Sequence, residues 1–598
     1  MFDSQAIVLA TLAASLLLFV TDALRYDLIA VLVALVLAIT GCLEPEQAFA
    51  GFSSPAIVLI ASMYVYGHAI SKWGVAEIIG QRLLARGATG PGSEPRLVLQ
   101  ITLVSGLLSS VLSNTGVVAS LIPVLSSVAR RCQVPVSRLL MPLSFGSLLG
   151  GMLSVIGTST NIAVNGAIKD VGGEEFSLFE FSHFGLICLG VGCLYWLSPV
   201  RGRLSRSRAG ESLTEHYRVP QFVTEVLVEP TSTLINRTVA ESGLFERHGI
   251  SVLGIARPGE TSTLAPGPYN RIRHDDTLIL QGEPDAILKL RQDLGLRERK
   301  SVSVGDTRLV AADVQLVEAV VPAGSPLVGS TLADVDFRAQ TGLNVLGISK
   351  HGHVRPASLG NLPLEIGDTL LLQGHEPDIE RARRKRELLV LGELETQPIG
   401  RGALITLLTL ALVLLVAALE LVDLTVAALG GAVALVLTGV IKPDEVRRNL
   451  DWSVLILIGG MLSLGVAFRE HHLGTTLAGW IGALGPAAQN PHVLLAVLLT
   501  VTMVLTQLMN HVTSAVVMTP VALSFADELQ LSDRPLLMAV LVGANLAFLT
   551  PVAHQANAMV MGPGDYRYRD FWRLGWPLTL ILMAVAIWLL PVFWPLRA

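Results

Sequence analysis

Charge is scarce in this 598-residue chain. Asp, Glu, Lys and Arg make up only 15% of it, against 51% apolar residues. With a mean hydropathy of +0.58, that balance excludes a soluble globular protein of ordinary make-up. Carboxylates are nearly missing from the long apolar runs, and Glu420 and Asp423 fall at a run boundary. A proton pump built on buried Asp or Glu has no candidates here. Cysteine is rare as well: Cys42, Cys132, Cys188 and Cys193 lie in or beside apolar runs without metal-ligand spacing. They read as structural thiols, which excludes a disulfide framework. No G-x-G-x-x-G follows a strand-like run, so no dinucleotide fold is expected. Neither a nucleophile–base set nor a metal cluster marks an enzyme. The opening MFDSQAIVLA lacks a basic region before its apolar stretch, and reads as a first spanning helix rather than a cleaved signal.

What the chain has is a pair of polar interruptions in apolar surroundings, each occurring twice. Ser113-Asn114-Thr115 interrupts the run 97–129, and Met509-Asn510-His511 interrupts the run around 494–526. Each is followed by a second break, Gly157-Thr158-Ser159-Thr160-Asn161 and Ala553-His554-Gln555-Ala556-Asn557. Asn114 to Asn510, Gly157 to Ala553 and Asn161 to Asn557 are all 396 positions apart. Interrupted hydrophobic segments at matching places in two halves point to a transporter binding site. Mid-membrane backbone must keep its polar groups paired, so such breaks are expected to line a cavity.

A spanning helix needs about 20 apolar residues. The expected fold is a polytopic α-helical membrane protein with inverted repeats, about 10 spanning helices, two re-entrant hairpins and an inserted α+β region. The first repeat is placed at 1–204, with helices near 5–20, 27–43, 54–71, 139–165 and 183–200 and a half-depth hairpin at 97–129. The second is placed at 399–598, with helices near 403–419, 424–441, 452–468, 535–560 and 574–596 and a hairpin at 494–526. Residues 74–90 and 471–488 read as amphipathic connectors. Five crossings per unit is odd, so the second unit is expected to be inverted. Basic residues gather on one predicted side, among them Arg130, Arg131, Arg138, Arg201, Arg203, Arg206, Arg208, Arg447 and Arg448. That side is read as cytoplasmic, with both termini outside. The run Arg201 to Arg208 is taken as topological, with no nucleic-acid partner.

The polar middle is itself duplicated. Val252-Leu253-Gly254-Ile255 and Val345-Leu346-Gly347-Ile348 pair at 93, and Asp276-Thr277-Leu278 and Asp368-Thr369-Leu370 pair at 92. Two units are expected, 205–300 and 301–398, each with two strands flanking a short helix and a Gly-Asp turn before a buried strand.

The Ser-Asn-Thr tip, the Gly-Thr-x-x-Asn break and the Thr550-Pro551 and Gln555-x-Asn557 segment resemble the divalent-anion/sodium symporters. The middle resembles two TrkA-C domains, the C-terminal half of potassium-conductance regulators, as in a subgroup of that family. The resemblance implies a homodimer in the plasma (inner) membrane, elevator-type alternating access, sodium near each hairpin tip and an anion between them. A small-molecule or nucleotide regulator of the TrkA-C-like units is a further expected partner. Two residues depart from the family pattern. His511 stands where Thr115 stands in the first tip, and His554 stands opposite Thr158. This turns the substrate expectation from dicarboxylates toward sulfate or a related oxyanion.

The candidate sodium ligands are Ser109, Ser113, Asn114 and the Gly157 carbonyl in the first unit, and Thr506, Asn510 and the Ala553 carbonyl in the second. Neutral oxygens leave the ion's charge uncompensated. A nearby anion then gains several kcal/mol at an effective ε of about 20. The candidate anion-binding residues are Asn114, Thr115, Thr158, Asn510, His511 and His554, aided by half-helix N-termini. Sodium is the expected coupling ion, with no organic cofactor. The rivals are a sodium-coupled dicarboxylate carrier, a proton-coupled carrier using His511 or His554, the groups whose reference pKa suits that role, and a ligand-gated channel.

Overall fold

The computed structural model describes residues 4–21, 23–84, 94–170, 173–203, 217, 223–244, 248, 250–257, 263–267, 269–282, 287, 289–290, 294–298, 314–350, 353–355, 359–385, 387–391, 400–473, 475–476 and 490–597. The connector expected at 471–488 and the end of the one at 74–90 lie mostly outside them.

The first half runs α1 (Ser4–Thr21), α2 (Tyr26–Ile39), α3 (Pro45–Ala50), α4 (Pro55–Lys72), α5 (Val75–Leu84), α6 (Glu94–Ser109), α7 (Asn114–Cys132), α8 (Leu140–Gly151), α9 (Ser159–Asp170) and α10 (Ser182–Leu197). Local chemistry sets several of the starts. Pro55 opens α4 behind Ser54, whose hydroxyl accepts from the Ala56 N–H. The apolar run expected as one helix at 139–165 is divided, because Gly151 ends α8 and residues 152–158 turn before α9 begins.

After the inserted region come α13 (Arg401–Ala418), α14 (Leu424–Leu437), α15 (Pro443–Asn449), α16 (Trp452–Glu470), α17 (Pro491–Leu508), α18 (His511–Glu528), α19 (Asp533–Asn545), α20 (Gln555–Met561) and α21 (Tyr568–Phe593). The run expected at 535–560 divides in the same way, between α19 and α20. The last helix begins at Tyr568 rather than at 574. Six helices among the described residues are long and apolar enough to cross a membrane. Three shorter apolar helices, Tyr26–Ile39, Ser182–Leu197 and Leu424–Leu437, accompany them. The hairpin arms are longer than half-depth: α6 has 16 residues and α7 has 19, about 24 and 28 Å at about 1.5 Å per residue.

One apolar core joins all of these helices. Within it, α2 packs on α16, and α4 and α13 pack on α14. A second group packs α6 on α8, α17 and α18 on α19, and α7 on α8 and α20. The groups meet where α16 crosses α18 and α4 crosses α9.

The insert holds two antiparallel five-stranded sheets, where two strands per unit had been expected. The first contains β1 (Val223–Val228), β2 (Ser251–Ala256), β3 (Thr263–Leu264), β4 (Thr277–Gln281) and β5 (Leu296–Glu298), in the order β3-β2-β4-β1-β5. The second contains β6 (Val314–Val320), β7 (Asn344–Lys350), β8 (His353–Arg355), β9 (Thr369–His375) and β10 (Leu389–Leu391), in the order β10-β6-β9-β7-β8. Read in the opposite direction, the two orders are the same. Both sheets also carry an irregularity at the same place, Val252/Gly254 and Val345/Gly347. In the second unit α11 (Phe337–Thr341) and α12 (Glu376–Lys385) cover one face. The sheets meet each other through Leu253, Ile279, Leu346 and Leu371. Gln281 Nε2 donates across that seam to the Leu346 carbonyl at 2.5 Å.

Candidate functional site

Each break is tied by one asparagine. Asn161 Nδ2 donates to the carbonyls of Gly151 (2.8 Å) and Ser154 (2.9 Å). Asn557 Nδ2 donates to those of Ala547 (2.6 Å) and Thr550 (3.1 Å). Both asparagines are buried, and both reach back ten and seven residues. The bonds satisfy carbonyls that the end of α8 or α19 leaves open. Each amide oxygen is then held by the other half of the chain. Asn545 Nδ2 donates to Asn161 Oδ1 at 3.2 Å, and Ser144 Oγ donates to Asn557 Oδ1 at 2.7 Å. Asn161 and Asn557 therefore shape the breaks with their side chains.

The tips differ. In the first, Ser113 is exposed and its hydroxyl caps α7 by accepting from the Gly116 N–H at 3.2 Å. Asn114 is thereby freed to turn inward, where it is 2% exposed. Its Oδ1 accepts from Ser109 Oγ at 2.5 Å, and its Nδ2 lies 3.3 Å from His554 Nε2. In the second tip Asn510 is itself the cap. Its Oδ1 accepts from the Thr513 N–H (2.9 Å) and hydroxyl (3.0 Å).

The first-unit candidates Ser109, Asn114 and Gly157 come together. A Cβ on Gly157 would stand 3.1 Å from the Ser109 carbonyl oxygen and 2.9 Å from that of Gly151. His554 joins them from the second break. Its Nδ1 accepts from the Ala556 N–H at 3.0 Å, capping α20. His511 stacks on His554 with ring centroids 4.1 Å apart and planes at 29°, and it reaches the backbone of Ala553. Its Nδ1 is buried without a hydrogen-bond partner. Thr158 is buried in extended backbone just before α9, and Thr115 is half-buried in the first turn of α7. Thr506 stands apart in role, because its hydroxyl donates to the Thr502 carbonyl of its own helix at 2.9 Å. The Ala553 N–H donates to Thr550 Oγ1 at 3.2 Å.

Sequence reasoning missed Gln507, which ties the second break from the hairpin. Its Nε2 donates to the Leu546 carbonyl (2.9 Å) and its Oε1 accepts from the Leu549 N–H (3.2 Å). A glutamine inside an apolar run was the available signal. Ser144 and Asn545 left no signal in the repeat register, because the positions 396 away are Val540 and Leu149.

Among the described residues, no charged side chain is hydrogen-bonded to Ser109, Asn114, His511 or His554. No group of three or more His, Cys, Asp or Glu is placed to hold a metal there either. A neutral His554 that accepts at Nδ1 carries its proton on Nε2. Two N–H groups, from His554 and Asn114, thus converge on one buried place.

Residues 16–530 and 487–597 match the family model described as CitMHS, citrate transporter. An uncharacterized transporter of Synechocystis sp. is 31% identical over 583 residues, covering 96% of this chain and 94% of that one. A probable sodium/sulfate cotransporter 3 of Chlamydomonas reinhardtii is 29% identical over 378 residues, covering 62% of this chain and 42% of the relative. Among solved structures, the YdaH transporter of Alcanivorax borkumensis aligns over 98% of this chain and all of that one, with 14% identity and a TM-score of 0.44. With the family model running along most of its length, the chain belongs to the citrate transporter family: it is a multi-pass membrane transporter and not an enzyme.

Proposed function

We propose that the protein is a sodium-coupled symporter of a small divalent oxyanion, sulfate or a close relative. The observation that carries this reading is the convergence of His554 Nε2–H and Asn114 Nδ2–H, 3.3 Å apart and buried. Two donors facing one another lack an acceptor, and an anion's oxygen beside both supplies it. His511, stacked on His554 with its own Nδ1 unpartnered, offers a third polar edge. Sodium is assigned to the neutral oxygens around the first tip, the Ser109 hydroxyl and the Gly157 and Ser109 carbonyls. Such a cage carries no charge of its own, so ion and anion favour one another's binding. The sodium/sulfate relative in Chlamydomonas supports the pairing of this cation with this anion.

The two packing groups of helices support an elevator: α6–α9 and α17–α20 move as one body against α2, α4, α13, α14 and α16. The 396-residue register supports inverted repeats, and the one-sided basic residues support a cytoplasmic insert of two TrkA-C-like units in an inner-membrane homodimer. The test is uptake of labelled sulfate, with citrate and succinate as competitors, into proteoliposomes under a sodium gradient or in choline. Equal uptake in both salts would sink the coupling. Uptake driven by a pH gradient without sodium, and lost in His554→Ala, would establish the proton-coupled alternative that the stacked imidazoles favour.

A further inference from the structure

The turn before β9 meets the membrane helices backbone to backbone. Gly367 adopts φ +86 there, and a Cβ on it would overlap the Ala558 carbonyl oxygen and stand 3.3 Å from Met559 Cα. From the other side, a Cβ on Gly562 would overlap the Gly367 carbonyl and come within 2.8 Å of Thr369 Cγ2. Ala323, Ile366, Leu389 and Leu391, all from the second sheet unit, pack against the apolar core of the membrane helices. Strand β10 lies against α7.

The second sheet thus touches α7 and α20. These are the helices that begin at the site, α7 at Asn114 and α20 just after His554. Ala558 follows His554 by one helical turn, about 6 Å at about 1.5 Å per residue. So short a helix has no room to absorb a displacement between its ends. The first sheet is bonded in turn to the second, through Gln281 to the Leu346 carbonyl and Arg338 Nη2 to the Pro266 carbonyl at 2.7 Å.

We infer that the insert is a control element that acts on the anion site through the Gly367 turn, setting the position of α20 and with it His554. A change of pose in the second sheet reaches the site by backbone contact at the Gly367 turn, and one in the first sheet reaches it through the bonds between the sheets. The functional readout rests on the transport reading above; the structural readout does not.

The test compares two glycines in the full-length protein. Gly367 and Gly324 both hold positive φ, +86 and +82, but a Cβ on Gly324 meets nothing within 4 Å. Gly324→Ala therefore carries the backbone strain without the collision. In Gly367→Ala, amide hydrogen exchange over 555–566 should accelerate at least about fivefold, and the apparent affinity for labelled sulfate should shift by a similar factor. Gly324→Ala should stay within about twofold of wild type in both. Ile366→Ser removes apolar contact without touching a glycine and should also release 555–566, while β6 and β9 keep their protection. Unchanged exchange over 555–566 in both Gly367→Ala and Ile366→Ser overturns the inference, as does an equal effect from Gly324→Ala. Should wild type show no sodium-driven uptake, the transport reading fails by itself and the exchange data still decide the contact.

Discussion

Replacing Asn161 or Asn557 with alanine should be about equally damaging, although the two lie in different halves of the chain. Each substitution strips the donor from two carbonyls, those of the buried Gly151 and Ser154 in one case, and of the buried Ala547 and half-buried Thr550 in the other. A buried acceptor left without its partner costs about 1–3 kcal/mol, so each variant should lose roughly 2–6 kcal/mol of local stability. Water entering the break would bring the loss toward the lower end. The neighbours that hold these asparagines from the far side should matter less. Asn545→Ala and Ser144→Ala each remove one donor to an amide oxygen, at 3.2 and 2.7 Å, and should cost about 1 kcal/mol each. Asn161→Asp keeps an acceptor for Asn545 but loses both donors, and should behave as badly as Asn161→Ala. The assay is sodium-dependent thermal protection of the detergent-solubilised protein, with hydrogen exchange across 151–161 and 547–557 as the local readout. A severe Asn557→Ala beside a mild Asn161→Ala would refute the claim that the breaks are built alike. A severe Ser144→Ala beside a mild Asn557→Ala would refute the assignment of the asparagine as the tie.

Gly157→Ala places a Cβ 2.9 Å from the Gly151 carbonyl oxygen and 3.1 Å from that of Ser109; overpacking of about 1–3 kcal/mol should weaken apparent sodium affinity roughly five- to a hundredfold in titrations of uptake. His554→Ala removes both the α20 cap and the donor facing Asn114, so sulfate affinity should fall, whereas His511→Thr should alter anion selectivity; unchanged competition profiles in both would remove the imidazoles from the site. In the insert, burial above all pushes the Asp368 carboxyl up to about 7, against the opposing effect of the Glu365 N–H and Lys350. The folded sheet therefore holds a proton that the unfolded chain releases, and this carboxyl's contribution to stability is fully present below about pH 4 and is lost as pH rises toward about 7. Amide protection of β9 should follow that course, and Asp368→Asn should flatten it.

Much of this architecture was legible because backbone chemistry repeats with the sequence. A chain that turns in an apolar environment must re-pair the carbonyls it frees, and asparagine ten and seven residues downstream does so twice. The Asn161 to Asn557 spacing therefore carried real geometric content. The paired Val-Leu-Gly-Ile runs marked two like sheets for a similar reason, since each glycine sits beside a register irregularity. The number of strands was less legible. The short edge strands β3, β5, β8 and β10 span only two or three residues each, and so brief a run carries no alternation to read.

The roles of the tips were hidden by one residue. The register that pairs Asn114 with Asn510 also pairs Ser113 with Met509. Serine can accept a backbone N–H and cap a helix; methionine has only a weak sulfur acceptor. The cap therefore falls on Ser113 in the first tip and on Asn510 in the second, and α18 starts one position later in the register than α7. That shift turns the Asn114 amide inward toward Ser109 and His554 and keeps the Asn510 oxygen on its own helix. Ser113→Ala consequently tests whether Ser113 serves the first tip as a helix cap or as the sodium ligand that the sequence suggested. It should cost about 1 kcal/mol for the lost cap. Asn114 can recover that cap only by giving up the bond from the buried Ser109 hydroxyl, and a buried group left without its partner costs about 1–3 kcal/mol. The inward position therefore holds against a cap of about 1 kcal/mol, so thermal stability should fall while sulfate affinity holds within about twofold. A large loss of affinity with unchanged stability would mean that Ser113 meets the ion itself, and the division of labour between cap and ligand at this tip would be wrong.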